Sequence, residues 1–167
     1  MQYRHEVKHE ISNLDMLILR QRLRAVMAPD SHAIDGQYEI RSLYFDNPDD
    51  KALREKLDGV SRREKYRIRM YNNDPSVIRL ERKFKCSGLG YKESALLTQA
   101  QACQIAGGDI HWMAASTDEV ILRFYTCLRN EGLAAKVIVD YTREPFVFVP
   151  GNVRVTLDYN IRTALGC

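Results

Sequence analysis

The sequence predicts a single α+β domain built on a mainly antiparallel sheet, and three observations support that prediction. The chain has 167 residues, 45% hydrophobic and 28% charged, which is the size and composition of one well-packed domain. Several segments alternate polar and apolar residues with the two-residue period of a β-strand. Short turns join most of these segments into hairpins, which favours antiparallel pairing. We therefore expect residues 1–167 to form one domain.

The N-terminal part is predicted to be a strand followed by a helix. Residues 2–11 alternate as a strand up to Ser12, a helix N-cap residue with Asp15 in the first turn. The helix is predicted to run to Met27, because Pro29 ends the helical pattern.

Strands and helices then alternate to the C-terminus. The capping signals at Ser116 and Glu119 predict the best-defined helix, which ends at Gly132. The other predicted helices are 50–57 and 98–106, and the predicted strands are 38–46, 64–72, 77–86, 136–149 and 153–159, with turns at 73–76 and 150–151.

Positive charge is concentrated in one segment. The formal net charge of the chain is +3, but residues 62–92 contain ten basic and three acidic residues and carry +7. Arginine outnumbers lysine by 17 to 8, and its guanidinium can contact phosphate or carboxylate through two hydrogen bonds. A basic segment on a slightly acidic body indicates an anionic ligand.

The basic residues share faces of the predicted strands. Lys65, Arg67 and Arg69 alternate with Tyr66, Ile68 and Met70, and the next strand repeats this pattern apart from Arg82. Two interpretations remain open. The charged faces can lie in water, as in an ordinary half-exposed sheet, or the sheet can curl into a barrel whose charged faces line a channel for a polyanion and a metal ion.

Six motifs, found in order over residues 3–163, resemble the VTC domain. This is the polyphosphate polymerase domain of the CYTH, or triphosphate tunnel metalloenzyme, superfamily. The motifs are RHEVKHEIS, IRSLYFDN, KYRIRMY, IRLERKFK, DYTREPF and VRVTLDYNIR. The resemblance implies an antiparallel β-barrel that forms a tunnel, with helices packed on its outside.

The resemblance also implies a set of site residues, a metal and substrates. ATP and polyphosphate or triphosphate are the implied partners, and the chain is expected to be a metal-dependent phosphotransferase. Glu6 and Glu81 would hold a divalent metal, Mn²⁺ or Mg²⁺. The implied phosphate-binding residues are Lys8, Arg67, Arg69, Lys83, Lys92, Tyr141, Arg143 and Arg154, and those expected to act in catalysis are Arg67, Arg69, Lys83, Arg143 and Arg154.

Two departures from the family pattern keep a non-catalytic polyanion-binding module as the alternative. Arg4 stands where the superfamily's ExExK signature has a glutamate. Family members also continue beyond the segment around Arg162 into a strand with a metal-binding glutamate, so we expect a barrel that is incomplete at the C-terminus.

Other features indicate a soluble, cytoplasmic protein without a nucleic-acid partner. The four cysteines form no CxxC pair, the N-terminus has no apolar signal segment, and no run of about 18 apolar residues occurs. Tyr66 and Phe84 alternate away from the charges, whereas nucleic-acid-binding surfaces interleave aromatic and basic side chains.

Overall fold

The computed structural model describes residues 6–165, which contain four α-helices, seven strands and two 3-10 helices. The helices are α1 (Asn13–Val26), α2 (Lys51–Leu57), α3 (Gln99–Ala106) and α4 (Glu119–Asn130), with the 3-10 helices at His111–Ala115 and Val149–Gly151. The strands are β1 (Ala28–Pro29), β2 (Tyr38–Asp46), β3 (Arg63–Tyr71), β4 (Asp74–Cys86), β5 (Leu89–Leu97), β6 (Ala134–Phe148) and β7 (Val153–Leu165).

All seven strands belong to one antiparallel sheet that curls into a half-barrel. The order across the sheet is β7-β6-β2-β3-β4-β5, and the short β1 pairs with β6 beyond the end of β2. Within residues 6–165 the edge strands β5 and β7 do not pair with each other, so the barrel is open. The predicted α+β class and the incomplete barrel are confirmed.

The hydrophobic core lies on the outer face of this sheet, beneath α3, α4 and the first 3-10 helix. Phe124 of α4 is fully buried, stacks on Tyr66 with a centroid distance of 4.8 Å and meets Phe45 edge-on at 4.9 Å. Ile68 and Leu80 belong to the same cluster. The apolar residues that alternate along β3 and β4 therefore face the helices, and the basic residues between them face the other side.

Two tight turns connect β3, β4 and β5. Asn72 and Asn73 join β3 to β4, and both have positive φ angles near 51°. Ser87 and Gly88 join β4 to β5 with φ angles of 49° and 83°. Two consecutive left-handed residues are the geometry of type I′ hairpins, whose twist matches the twist of the strands.

The structure differs from the sequence prediction at several elements, among them β5 and the start of α4. β5 was not predicted, since Leu89–Leu97 contains no valine, isoleucine or threonine and forms a strand by pairing with β4. Helix α4 begins after Asp118, not Ser116, because the Asp118 carboxylate accepts hydrogen bonds from the backbone amides of Val120 and Ile121.

The predicted first strand is wrong over residues 6–11, which have no regular structure and no strand partner, while residues 2–5, including Arg4, lie outside the described range. The helix that follows begins as predicted. The Ser12 hydroxyl and the Asp15 carboxylate form a reciprocal capping box at the start of α1.

The core contact of Phe124 gives a first prediction. Phe124→Ala should lower the free energy of unfolding by about 3–5 kcal/mol, because it leaves a cavity beneath two aromatic rings. Urea denaturation measures the change. Phe148→Ala is the matched control, since Phe148 is 42% exposed and its removal should lower the free energy of unfolding far less. Equal losses for both variants would contradict this assignment of the core.

Candidate functional site

Basic side chains form rows across the inner face of the half-barrel, the face opposite α3 and α4. Lys65 of β3 lies opposite Lys83 of β4, which lies opposite Lys92 of β5. One row further along, Arg67 lies opposite Glu81, and beyond it Arg69 lies opposite Arg79. Like charges directly opposite each other destabilise a sheet. Only the Arg67–Glu81 row therefore balances its own charge across the β3–β4 pair.

Glu81 is the central counter-charge of this face. Its side chain is 1% exposed. Oε2 accepts hydrogen bonds from Arg67, at 2.8 Å from Nε and 2.6 Å from Nη2, and Oε1 accepts one from Lys92 Nζ at 2.9 Å. Burial alone would raise the pKa of Glu81, but the charges of Arg67, Arg69 and Lys92 outweigh it and lower the pKa to about 2. The carboxylate is thus ionised at neutral pH.

Arg69 is a buried cation without an acidic partner. It is 5% exposed, its Nε donates to Ser42 Oγ at 3.0 Å, and its Nη2 donates to the Tyr141 hydroxyl at 2.9 Å. Among the described residues no carboxylate oxygen lies within 4 Å of its guanidinium. Hydroxyl partners satisfy hydrogen bonds but leave the charge in place. Glu81 compensates this charge only from a distance beyond 4 Å, so the positive charge of Arg69 would attract an anion bound on this face.

Tyr44 and Ser42 of β2 extend the site, and the sequence analysis did not identify either of them. Arg67 Nη1 donates to the Tyr44 hydroxyl at 2.9 Å. Burial opposes ionisation of Tyr44, yet the charge and hydrogen bond of Arg67, with the charge of Arg69, lower its pKa. The available signal was the alternation of β2, which puts Ser42 and Tyr44 on one face, but that face could not be assigned without the pairing of β2 with β3.

Arg143 and Arg154 lie on the β6–β7 side and have acidic partners. Arg143 makes two hydrogen bonds to Asp158, at 2.7 and 2.6 Å, and its guanidinium lies 5.3 Å from the centre of the Tyr141 ring. Burial alone would lower the pKa of Arg143, and the contact with Asp158 raises it above its usual value.

Arg154 of β7 contacts Tyr38 and Asp30. Its Nη2 donates to the Tyr38 hydroxyl at 2.9 Å and to Asp30 Oδ2 at 2.5 Å. Burial would raise the pKa of Asp30, but hydrogen bonds from His32 and Tyr38 and the charge of Arg154 lower it to about 2. Tyr38, the hydrogen-bond partner of Arg154, lies opposite Arg143 in the register of β2 with β6.

Glu6 and Lys8 lie at the rim of the inner face. Glu6 forms an ion pair with Lys83, and its carboxylate lies 3.8 Å from Lys8 Nζ. Partial burial opposes its ionisation, but Lys83, Lys8 and then Arg143 lower the pKa of Glu6. Glu6 is therefore within electrostatic reach of both β4 and β6, the two sides of the half-barrel.

The two carboxylates expected to hold a metal, Glu6 and Glu81, fit that role only in part. Both oxygens of Glu81 accept hydrogen bonds from cations, and Glu6 is paired with Lys83. In residues 6–165 neither belongs to a group of three clustered acidic, histidine or cysteine ligands. Within residues 6–165, Glu6 and Glu81 could therefore hold a divalent ion only if it replaced Lys83 at Glu6 and Lys92 at Glu81.

Such a group does exist on the outer face, at Glu64, Cys127 and Glu131, whose ligand atoms lie within 4.8 Å of one another. Glu64 is bound by Arg82, however, and Glu131 by Lys51 at 2.5 Å. Glu64 also lines a cavity that contains Lys65 and Lys83. Both carboxylates of this group are therefore already paired with cations from neighbouring elements.

Comparison with known families agrees with this geometry. The sequence matches the VTC domain over residues 3–165, and the chain belongs to the VTC domain family. No curated protein matches the chain. The family is associated with polyphosphate, and the inner face offers a basic surface of the kind that such a ligand needs.

The low pKa of Glu81 gives a second prediction. A carboxylate whose pKa falls from 4.5 to about 2 on folding stabilises the fold above about pH 4.5, and this contribution is lost as the pH falls toward 2. The stability difference between the wild type and Glu81→Gln should therefore shrink by an amount on the order of 3 kcal/mol between pH 5 and 2.

Urea denaturation at a series of pH values measures this difference. Glu10→Gln, which removes an exposed carboxylate outside the site, is the matched control for the loss of one negative charge. If Glu81→Gln and the wild type keep a constant stability difference across this range, the ion pairs of Glu81 do not hold its pKa low.

Proposed function

We propose that this domain is a metal-dependent phosphotransferase that resembles a polyphosphate polymerase, and that residues 1–167 act as one unit. It would bind ATP and polyphosphate on the inner face and transfer the γ-phosphate to the end of the chain. The observation that carries the proposal is Arg69, a buried guanidinium with two hydroxyl partners and no carboxylate within 4 Å in residues 6–165. Membership of the VTC domain family supports polyphosphate as the ligand.

In this proposal the basic residues position phosphate groups and neutralise their charge. A terminal oxygen of polyphosphate attacks the γ-phosphorus, the bond from that phosphorus to the β,γ-bridging oxygen breaks, and ADP leaves. The chain is thereby lengthened by one phosphate, or triphosphate is cleaved if water attacks instead. Arg67 and Arg69 would orient the oxygens of the transferred group, with Lys83, Arg143 and Arg154 holding neighbouring phosphates.

A divalent ion, Mn²⁺ or Mg²⁺, would spread the charge that develops on the transferred phosphate. Glu6 and Glu81 are its candidate protein ligands. Lys8, Lys92 and Tyr141 are proposed to bind phosphate without a direct part in the transfer. We place this activity in the cytoplasm, since the described cysteines Cys86, Cys103 and Cys127 are free thiols. Within residues 6–165 no helix has both the length and the hydropathy of a membrane span.

A polyanion-binding module without turnover is the second candidate function. The engagement of Glu6 and Glu81 with lysine and arginine favours it, because neither carboxylate has an oxygen free of cationic partners to offer a metal. Both candidates require the same phosphate contacts. They differ in whether Glu81 would also bind a metal ion that neutralises charge on the transferred phosphate.

Binding itself is tested with tripolyphosphate in a thermal shift assay. The ligand should raise the Tm at low salt because it compensates the like charges of the inner face, and the shift should shrink as salt screens them. Arg69→Ala should weaken tripolyphosphate binding by about 10- to 100-fold. Arg123→Ala, on the exposed side of α4, is the control for a lost arginine. A wild type without any shift at low salt would exclude both candidate functions.

Glu81→Gln separates the enzyme from the binding module. If Glu81 is a metal ligand, ATP turnover with Mn²⁺ should be almost lost in Glu81→Gln. Affinity for tripolyphosphate without metal should stay the same or increase, because a negative charge has left a basic surface. The two measurements are made side by side and normalised to folded protein. If Glu81→Gln turns over ATP at the wild-type rate, Glu81 is not a metal ligand. If the wild type itself shows no turnover, the binding module is the remaining candidate function.

A further inference from the structure

A second group of cations lies beside the first, at the rim of the half-barrel. It lines a cavity of about 320 Å³ between α2, β3, β4 and the segment at Glu6, which we call the rim cavity. Its basic side chains are Lys8, Lys56, Arg63, Lys65, Lys83 and Lys85. The residues implied by the family resemblance to bind phosphate do not include Lys56, Arg63, Lys65 or Lys85.

Most of this charge is uncompensated. Glu6 pairs with Lys83 and lies near Lys8, and Glu64 is bound by Arg82. Among the described residues no carboxylate oxygen lies within 4 Å of the side-chain nitrogens of Lys56, Lys65 or Lys85. The sheet register also places Arg63 opposite Lys85 and Lys65 opposite Lys83. Two successive cross-strand pairs of like charge are unfavourable unless an anion lies between them.

The lysines of the rim cavity affect one another. Burial lowers the pKa of the half-buried Lys65, and the positive charges of Lys56, Lys83 and Lys8 lower it further. Lys65 therefore lies among cations from α2, β4 and the N-terminal segment. A phosphate chain in the cavity would replace this repulsion by attraction from several sides.

The rim cavity continues the row of basic residues along β3. Arg69, Arg67, Lys65 and Arg63 lie on the same face at every second position, so the line from Arg69 to Arg63 spans about 20 Å. Because Lys83 lies in both regions, a tripolyphosphate held by Arg67, Arg69 and Lys83 would reach only the edge of the rim cavity, whereas a longer chain can enter it.

We propose that the rim cavity is a second anion subsite, formed by Lys56, Lys65 and Lys85, which binds the part of a polyphosphate chain beyond its first three phosphates. The proposal rests on the function proposed above and adds to it a preference for long chains. The ligand class is a linear polyphosphate, because the row of Arg69, Arg67 and Lys65 leads along β3 from the first site into the cavity.

The test compares two ligands on matched variants by isothermal titration calorimetry at low salt. Lys65→Gln should weaken binding of long-chain polyphosphate about five- to tenfold and change tripolyphosphate binding less than twofold. Lys56→Gln, on the exposed side of α2, should act in the same direction without a risk to the fold. Lys65→Arg keeps the charge and should keep the affinity. Lys136→Gln removes a lysine that pairs with Asp50 away from the cavity, and should change neither affinity.

The outcomes separate this proposal from the proposed function. If the wild type binds neither ligand, the proposed function fails and this inference fails with it. If the wild type binds tripolyphosphate but Lys65→Gln and Lys56→Gln leave long-chain affinity unchanged, only the second subsite is excluded. If the variants weaken the binding of both ligands equally, the cavity belongs to the first site and is not a second subsite. A similar effect of Lys136→Gln would show that only the net charge matters.

Discussion

The ionised carboxylate of Glu81 is the constraint on which the inner face of the half-barrel depends. It is almost fully buried between Arg67 and Lys92, and no other acid is placed within that part of the sheet among the described residues. Its charge allows Arg67 to be fixed beside the buried Arg69, which has only hydroxyl partners. Glu81 compensates the centre of this face, Glu6, Asp158 and Asp30 compensate cations further out, and the charge that remains is available to a ligand.

The two faces of the same strands serve different purposes, and this division follows from the two-residue period of a strand. Tyr66 and Ile68 pack beneath α4, whereas Arg67 and Arg69, their immediate neighbours, point into the half-barrel. The rigid outer core therefore positions the guanidinium groups. A change in the packing of Phe124 would be transmitted to the inner face through the backbone of β3.

Much of this arrangement could be predicted from the sequence, because alternation reports which residues share a face. It correctly placed Arg67 and Arg69 on the same side of β3. Capping signals separately identified Ser12 as the N-cap of α1, with Asp15 in its first turn. Alternation does not report partners, however. The roles of Tyr44 and Ser42 depend on the register between β2 and β3, and β5 forms only because β4 offers it an edge. Arg82 broke the apolar pattern because Glu64 and Glu93, from neighbouring strands, neutralise it on the outer face.

The position of Cys127 has a consequence for following the opening of the core by chemical labelling. Burial raises the pKa of its thiol, which lies 3.8 Å from the Tyr66 hydroxyl beneath α4, so the reactive thiolate is scarce and shielded at neutral pH. Cys86 and Cys103 are exposed. An alkylating reagent will modify these two thiols first and reach Cys127 only when α4 separates from the sheet. The rate of that last modification reports how often the helix opens, at a single natural residue.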